Sequence, residues 1–250
     1  MNKAEREQLK HNEAVDALVS ANSYFSQHGR TIGLAAVAVL LIVGSVFGYR
    51  AFKARAEERA HGQLAAAVAI LNAPVAPAPT SGAAPSPASS GTYATETARA
   101  DAALKQLLST ADAYRGTDAG TRARYYAASL YAETNRPREA ADAYAAVRDQ
   151  AGASTLLGRM ASLGLASMQV RQKQYEPAIK ALQELSQRRD GPLPVDAVLV
   201  QLADAYQQAG RSAEASQTLQ RVIDEFPQSP YAADARQRVE ALQVSSAKAS

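Results

Sequence analysis

A chain of 250 residues has room for one globular domain with appendages, and much of its 47% hydrophobic content is Ala. It has no Cys and no Trp, which excludes disulfides and thiolate metal sites and favours helices packed through small side chains. The net charge of +3 is uneven: residues 50–59 carry four basic and two acidic side chains, residues 1–30 carry four of each, and residues 93–250 carry 19 basic and 18 acidic. The excess therefore sits beside an apolar run, where it would meet lipid headgroups, and the nearly neutral remainder argues against a nucleic-acid partner.

Taken in chain order, residues 1–30 are a short polar and amphipathic tail. Within it Val15, Leu18, Val19, Asn22 and Phe25 share one helical face, predicting a surface-lying helix over residues 13–28. Residues 31–49 follow, 19 residues without a charge. As a helix they measure about 28 Å, close to a hydrocarbon core of roughly 30 Å. Tyr24 and Phe25 before this run, and Tyr49 and Phe52 at its far end, suit the two interfaces. The long tail and the lack of a small-residue cleavage site predict an uncleaved transmembrane signal anchor. Gly44 and Gly48 form a GxxxG within it, a candidate helix-packing face in the membrane.

Residues 50–72 read as a juxtamembrane helix, with Gly62 the expected place for a bend. Residues 73–92 contain five prolines and no charge, which forbids a packed element and predicts a Pro/Ala/Ser/Thr linker or long loop. Residues 93–243 then carry an internal repeat. Ala128, Ala166 and Ala203 correspond, with offsets of 38 and 37 residues, and so do Ala140, Ala178 and Ala215. Tyr144, Leu182 and Leu219 follow in the same register, then Val147, Leu185 and Val222. Each unit predicts two amphipathic helices joined by a tight turn near Asn135, Lys173 or Gly210. Pro137 and Pro177 fall in the first turn of a second helix, where a missing N–H costs little. One such pair cannot bury its apolar face alone, so neighbouring pairs must stack.

This pattern resembles the tetratricopeptide repeat, most fully at Leu202, Ala203, Tyr206, Gly210, Ala215 and Pro227. The expected fold is all-α: one N-terminal transmembrane helix, then a helical solenoid. The solenoid is expected to have three full repeats over residues 120–227, a partial N-terminal pair from 52–71 and 94–114, and a capping helix from Pro230 to Leu242. Residues 244–250 are expected to be a disordered tail.

Catalytic chemistry finds no purchase. The three histidines, His11, His28 and His61, lie outside the repeats, and no glycine-rich phosphate loop occurs. No catalytic residue, metal ligand, cofactor or small-molecule substrate is expected, and the chain reads as non-enzymatic. What remains is surface. In this repeat type the first helix of each pair lines a concave face, which here would present Arg122, Tyr125, Ser129, Met160, Leu163, Ser167, Val170, Arg171, Val200, Asp204, Gln207 and Gln208. Tyr125 and Ser129 depart from the Lys, Arg and Asn of members that clamp a peptide carboxylate, which argues against a chaperone-tail clamp and suits a partly apolar groove for a protein segment. An alternative assigns Met160, Leu163 and Val200 to the inter-helix core.

The order of parts, with the stretch ANSYFSQHGRTIGLAAVAVLLIVGSVFGYRAF, resembles the YfgM-type ancillary subunit family of the SecYEG translocon. The long Pro-rich insert departs from that family. The resemblance implies a single-pass inner-membrane protein with a cytoplasmic N-terminus and a periplasmic repeat domain, partnered by the translocon and periplasmic chaperones. The positive-inside rule implies the opposite, since residues 11–30 offer only Arg30 and residues 50–69 offer Arg50, Lys53, Arg55 and Arg59. An envelope-assembly or cell-division organiser and a cytoplasm-facing adaptor are the alternative functions.

Overall fold

The computed structural model describes residues 3–76, 91–187 and 193–249, excluding the side chains of residues 3–33, 35, 36, 39 and 245–249. Among the described residues there are nine helices and no strand. They are α1 (Lys3–Leu71), α2 (Glu96–Ala113), α3 (Asp118–Glu133), α4 (Pro137–Ala151), α5 (Leu156–Arg171), α6 (Tyr175–Ser186), α7 (Val195–Gln208), α8 (Ser212–Glu225) and α9 (Ala232–Ala249). The chain divides into two units, residues 1–55 and 56–250.

In the first unit the backbone is helical from Lys3, and the expected amphipathic face of residues 13–28 lies outside the described side chains. Leu34, Leu40, Leu41, Ile42, Phe47 and Phe52 are exposed, as are Gly44 and Gly48, beside which an added Cβ would meet no atom within 4 Å. Among the described residues no helix is long and apolar enough to cross a membrane; the expected span loses residues 31–33, 35, 36 and 39 from the described side chains.

The second unit is the expected solenoid. Pairs α3/α4, α5/α6 and α7/α8 form the three full repeats, and α9 packs against the last of them through Ala235 and Val239. The aligned small positions are its helix crossings: Ala128, Ala140, Ala166, Ala178, Ala203 and Ala215 are all 0% exposed. The larger residues four positions on fill the space beside them, with Tyr144, Leu182 and Leu219 buried. The N-terminal pair joins the end of α1 to α2, packing Ala60, Leu64 and Ala67 against Ala103, Leu104, Leu107 and Ala111. Helix α1 runs through Gly62 without interruption, and α9 continues beyond Leu242, where no Gly or Pro stops it.

Three turns repeat one geometry. Asn135, Lys173 and Gly210 take φ of 59°, 61° and 77°. In each turn the next N–H reaches back to a carbonyl at 2.8 Å: Arg136 to Tyr131, Gln174 to Gln169 and Arg211 to Tyr206. This closes the end of the first helix as a left-handed C-cap does. The Pro-rich segment leaves and returns at one place, because the Ala76 N–H donates to the Tyr93 carbonyl at 2.8 Å and the Tyr93 N–H to the Pro74 carbonyl at 3.0 Å. Its interior, residues 77–90, lies outside the described residues.

Candidate groove between the first helices of two repeats

The two loops that enter α3 and α5 share a local code. Thr117 and Thr155 are N-caps whose hydroxyls accept from the Gly120 and Gly158 N–H groups at 3.0 and 3.1 Å. The same hydroxyls donate to the Tyr114 and Gly152 carbonyls at 2.8 and 3.0 Å. A Cβ at Gly120 or Gly158 would collide with that carbonyl, so the fourth residue of each Thr-x-x-Gly must be glycine. Thr117 and Thr155 lie 38 residues apart, the repeat offset itself.

Between these two entries lies a groove of about 570 Å³. Helix α3 contributes Thr121, Arg122, Tyr125 and Tyr126; helix α5 contributes Leu156, Leu157 and Met160. Arg122, Tyr126 and Leu156 are exposed, and Tyr125 and Met160 are half-buried. Tyr125 is held from behind by Tyr144, whose ring meets it edge-on at 5.6 Å, and burial raises the phenol pKa of both. The Tyr144 hydroxyl pairs with Ser129 at 3.1 Å, and its ring lies flat on Gly164, where an added Cβ would fall 2.6 Å from a ring carbon.

Of the expected concave residues, the groove gathers Arg122, Tyr125 and Met160. The others go elsewhere. Ser129 is engaged by Tyr144, and Ser167 is half-buried. Leu163 and Val200 are half-buried against core clusters, and Val170 is buried within one. Arg171 donates to the Ala132 carbonyl at 2.8 Å and the Asn135 side chain at 2.7 Å, bracing the turn of the preceding repeat. Asp204 and Gln207 are both bound by Arg238 of α9, so the cap takes up this end of the face, while Gln208 stays exposed. Tyr126, Leu156 and Leu157 were not anticipated; the repeated Thr-x-x-Gly was the available signal. Among the described residues no cluster of His, Cys, Asp or Glu could hold a metal ion.

Stacked helical pairs with a groove between successive first helices define a helical-repeat protein of the interaction-scaffold class. Residues 22–190 match the family described as tetratricopeptide repeat-like domain, and residues 170–239 match a tetratricopeptide repeat family. The chain belongs to the tetratricopeptide repeat-like domain family.

Solved structures agree on the fold. The kinesin light chain with nearly identical TPR-like repeats from Podosopora anserina superposes with a TM-score of 0.56 at 13% identity, covering 77% of this chain and 89% of that one. MamA superposes at 0.50 with 14% identity, covering 60% of this chain and 81% of that one. A comparison with curated proteins finds no significant match.

Proposed function

We propose that this protein is a membrane-anchored, non-catalytic scaffold that binds protein segments through its repeat domain. On this reading it is an ancillary component of the protein translocon on the exported side, meeting translocon subunits, chaperones or emerging chains. The observation that carries the anchor is the dense exposure of large apolar side chains in the first unit. Leu34, Leu40, Leu41, Ile42 and Phe47 are each more than 60% exposed on a helical backbone, a state that water penalises and lipid does not. The charge-free sequence of residues 31–49 and the resemblance to the YfgM-type family support the same reading.

One observation favours a second reading. Arg50, Lys53, Arg55 and Arg59 follow the apolar run, a flank that retains a domain in the cytoplasm and suits an adaptor on that side. Paired C-terminal fusions decide between them in cells whose membranes retain the protein after carbonate extraction. Active alkaline phosphatase with a dark green-fluorescent fusion supports the exported scaffold. The reverse pattern assigns the adaptor, and loss from carbonate-washed membranes removes the anchor.

A further inference from the structure

The apolar run of α1 ends in a collar of cations that the protein itself leaves uncompensated. Helix α1 continues without interruption through residues 49–55. Arg50, Lys53 and Arg55 are exposed there, and none of them has an ion pair among the described residues. Glu57 stands four residues after Lys53, the spacing of a helical ion pair. Its two carboxylate oxygens instead accept from the Asp118 and Ala119 N–H groups of α3, at 2.9 and 2.8 Å. Glu58, three residues after Arg55, is exposed and also makes no ion pair among the described residues.

The placing of the three cations selects their partner. Along a helix axis Lys53 and Arg55 stand about 4.5 and 7.5 Å beyond Arg50, close to the depth of one headgroup layer, roughly 5–7 Å. At about 100° per residue they spread around the helix and form no single stripe. Tyr49 and Phe52 lie among them, 69% and 74% exposed, and the exposed Leu40, Leu41, Ile42 and Phe47 precede them. A folded protein or a nucleic acid would have to encircle the helix to meet all three cations. A bilayer encircles it by geometry, and presents acyl chains and phosphates in the same order along the axis.

We propose that Arg50, Lys53 and Arg55 bind anionic phospholipid headgroups, enriching acidic lipid around α1 where the chain leaves the membrane. Arg50 and Arg55 can each hold a phosphate through two parallel N–H···O bonds, and Lys53 acts as a point charge. Zwitterionic lipid also offers phosphate, but its own cation offsets the attraction. Tyr49 and Phe52 sit at the boundary between acyl chains and headgroups. This rests on the membrane-anchor reading and adds a lipid class to it.

The test uses the full chain in nanodiscs of equimolar phosphatidylcholine and phosphatidylglycerol, with brominated acyl chains on one lipid or the other. The chain has no Trp, so Phe47→Trp supplies a single emitter on the apolar run, one turn before Arg50. Both leaflets share one composition, so the orientation of the chain does not enter. The expected result is stronger quenching by the brominated phosphatidylglycerol, corresponding to about fivefold local enrichment, the worth of about one cation near an anionic surface. In about 1 M salt, where the Debye length is about 3 Å, the preference should fall towards equality. Combining Arg50→Gln, Lys53→Gln and Arg55→Gln should abolish it while quenching by brominated phosphatidylcholine persists, which shows that the variant is still inserted. Equal quenching by the two lipids with the cations in place overturns the lipid preference and leaves the anchor intact. A preference that survives the triple substitution overturns its assignment to the collar. Absence of quenching by either lipid overturns both the preference and the anchor. If the triple variant does not reconstitute, the salt series decides, and a preference indifferent to salt overturns the proposal.

Discussion

Lys173 holds a backbone conformation that Gly210 holds without strain one repeat later, and its neighbours lack the compensation seen around Asn135. There Arg136 stacks on Tyr131 at 4.4 Å and pairs with Glu139 at 2.9 Å, as Arg211 stacks on Tyr206 at 4.8 Å and pairs with Glu214 at 2.8 Å. The second repeat has Gln169, Gln174 and Pro177 at those positions. Lys173→Gly is therefore expected to stabilise the domain by about 0.5–1 kcal/mol, seen as a raised urea midpoint with unchanged slope. A lowered midpoint would show that the lysine does more than occupy the turn. Gly164 makes the opposite case. Alanine normally improves a helix by about 1 kcal/mol, but here a Cβ strikes the Tyr144 ring, and Gly164→Ala should cost about 1–3 kcal/mol. Tyr144→Leu in the same background should recover part of that loss.

Helix ends and helix contacts explain which parts of the molecule were readable in sequence. Crossing positions show because only small residues fit there, so Ala128, Ala166 and Ala203 announced the stack. The fate of concave polar residues did not show, because their partners are distant in sequence: Arg171 meets Asn135, and Asp204 meets Arg238. Hydrophobic periodicity finds faces but not the pairing of charges across them. The Glu57 clamp is of the same kind, reaching α3 from α1, and Glu57→Gln should lower stability by about 1 kcal/mol, checked by chemical denaturation. Arg115 and Arg124 both donate to Asp112, at 2.9 and 2.7 Å, joining α2 to α3. The hydrogen bond from Arg115, then that from Arg124, lowers its folded pKa below the ordinary aspartate value. Its contribution is thus complete above that ordinary value and is lost as pH falls through the lowered one. Asp112→Asn should flatten the acid limb of the stability curve, and an unchanged limb would contradict this account.

At the scale of the whole molecule, the repeat domain is closed at one end by α9, whose Arg238 takes up Asp204 and Gln207, and keeps a groove open between α3 and α5. A stack capped in this way presents its polar concave positions unequally, with Asp204 and Gln207 engaged by the cap and Arg122 exposed. The proposed function turns on that groove receiving a protein segment in a membrane-anchored chain. The direct measurement is photocrosslinking in intact membranes from an unnatural amino acid at Tyr126, compared with exposed Lys180 on α6, with the adducts identified by mass spectrometry. The account predicts translocon, chaperone or emerging-chain adducts from position 126 that are missing from position 180. Adducts of equal yield from both positions would contradict it.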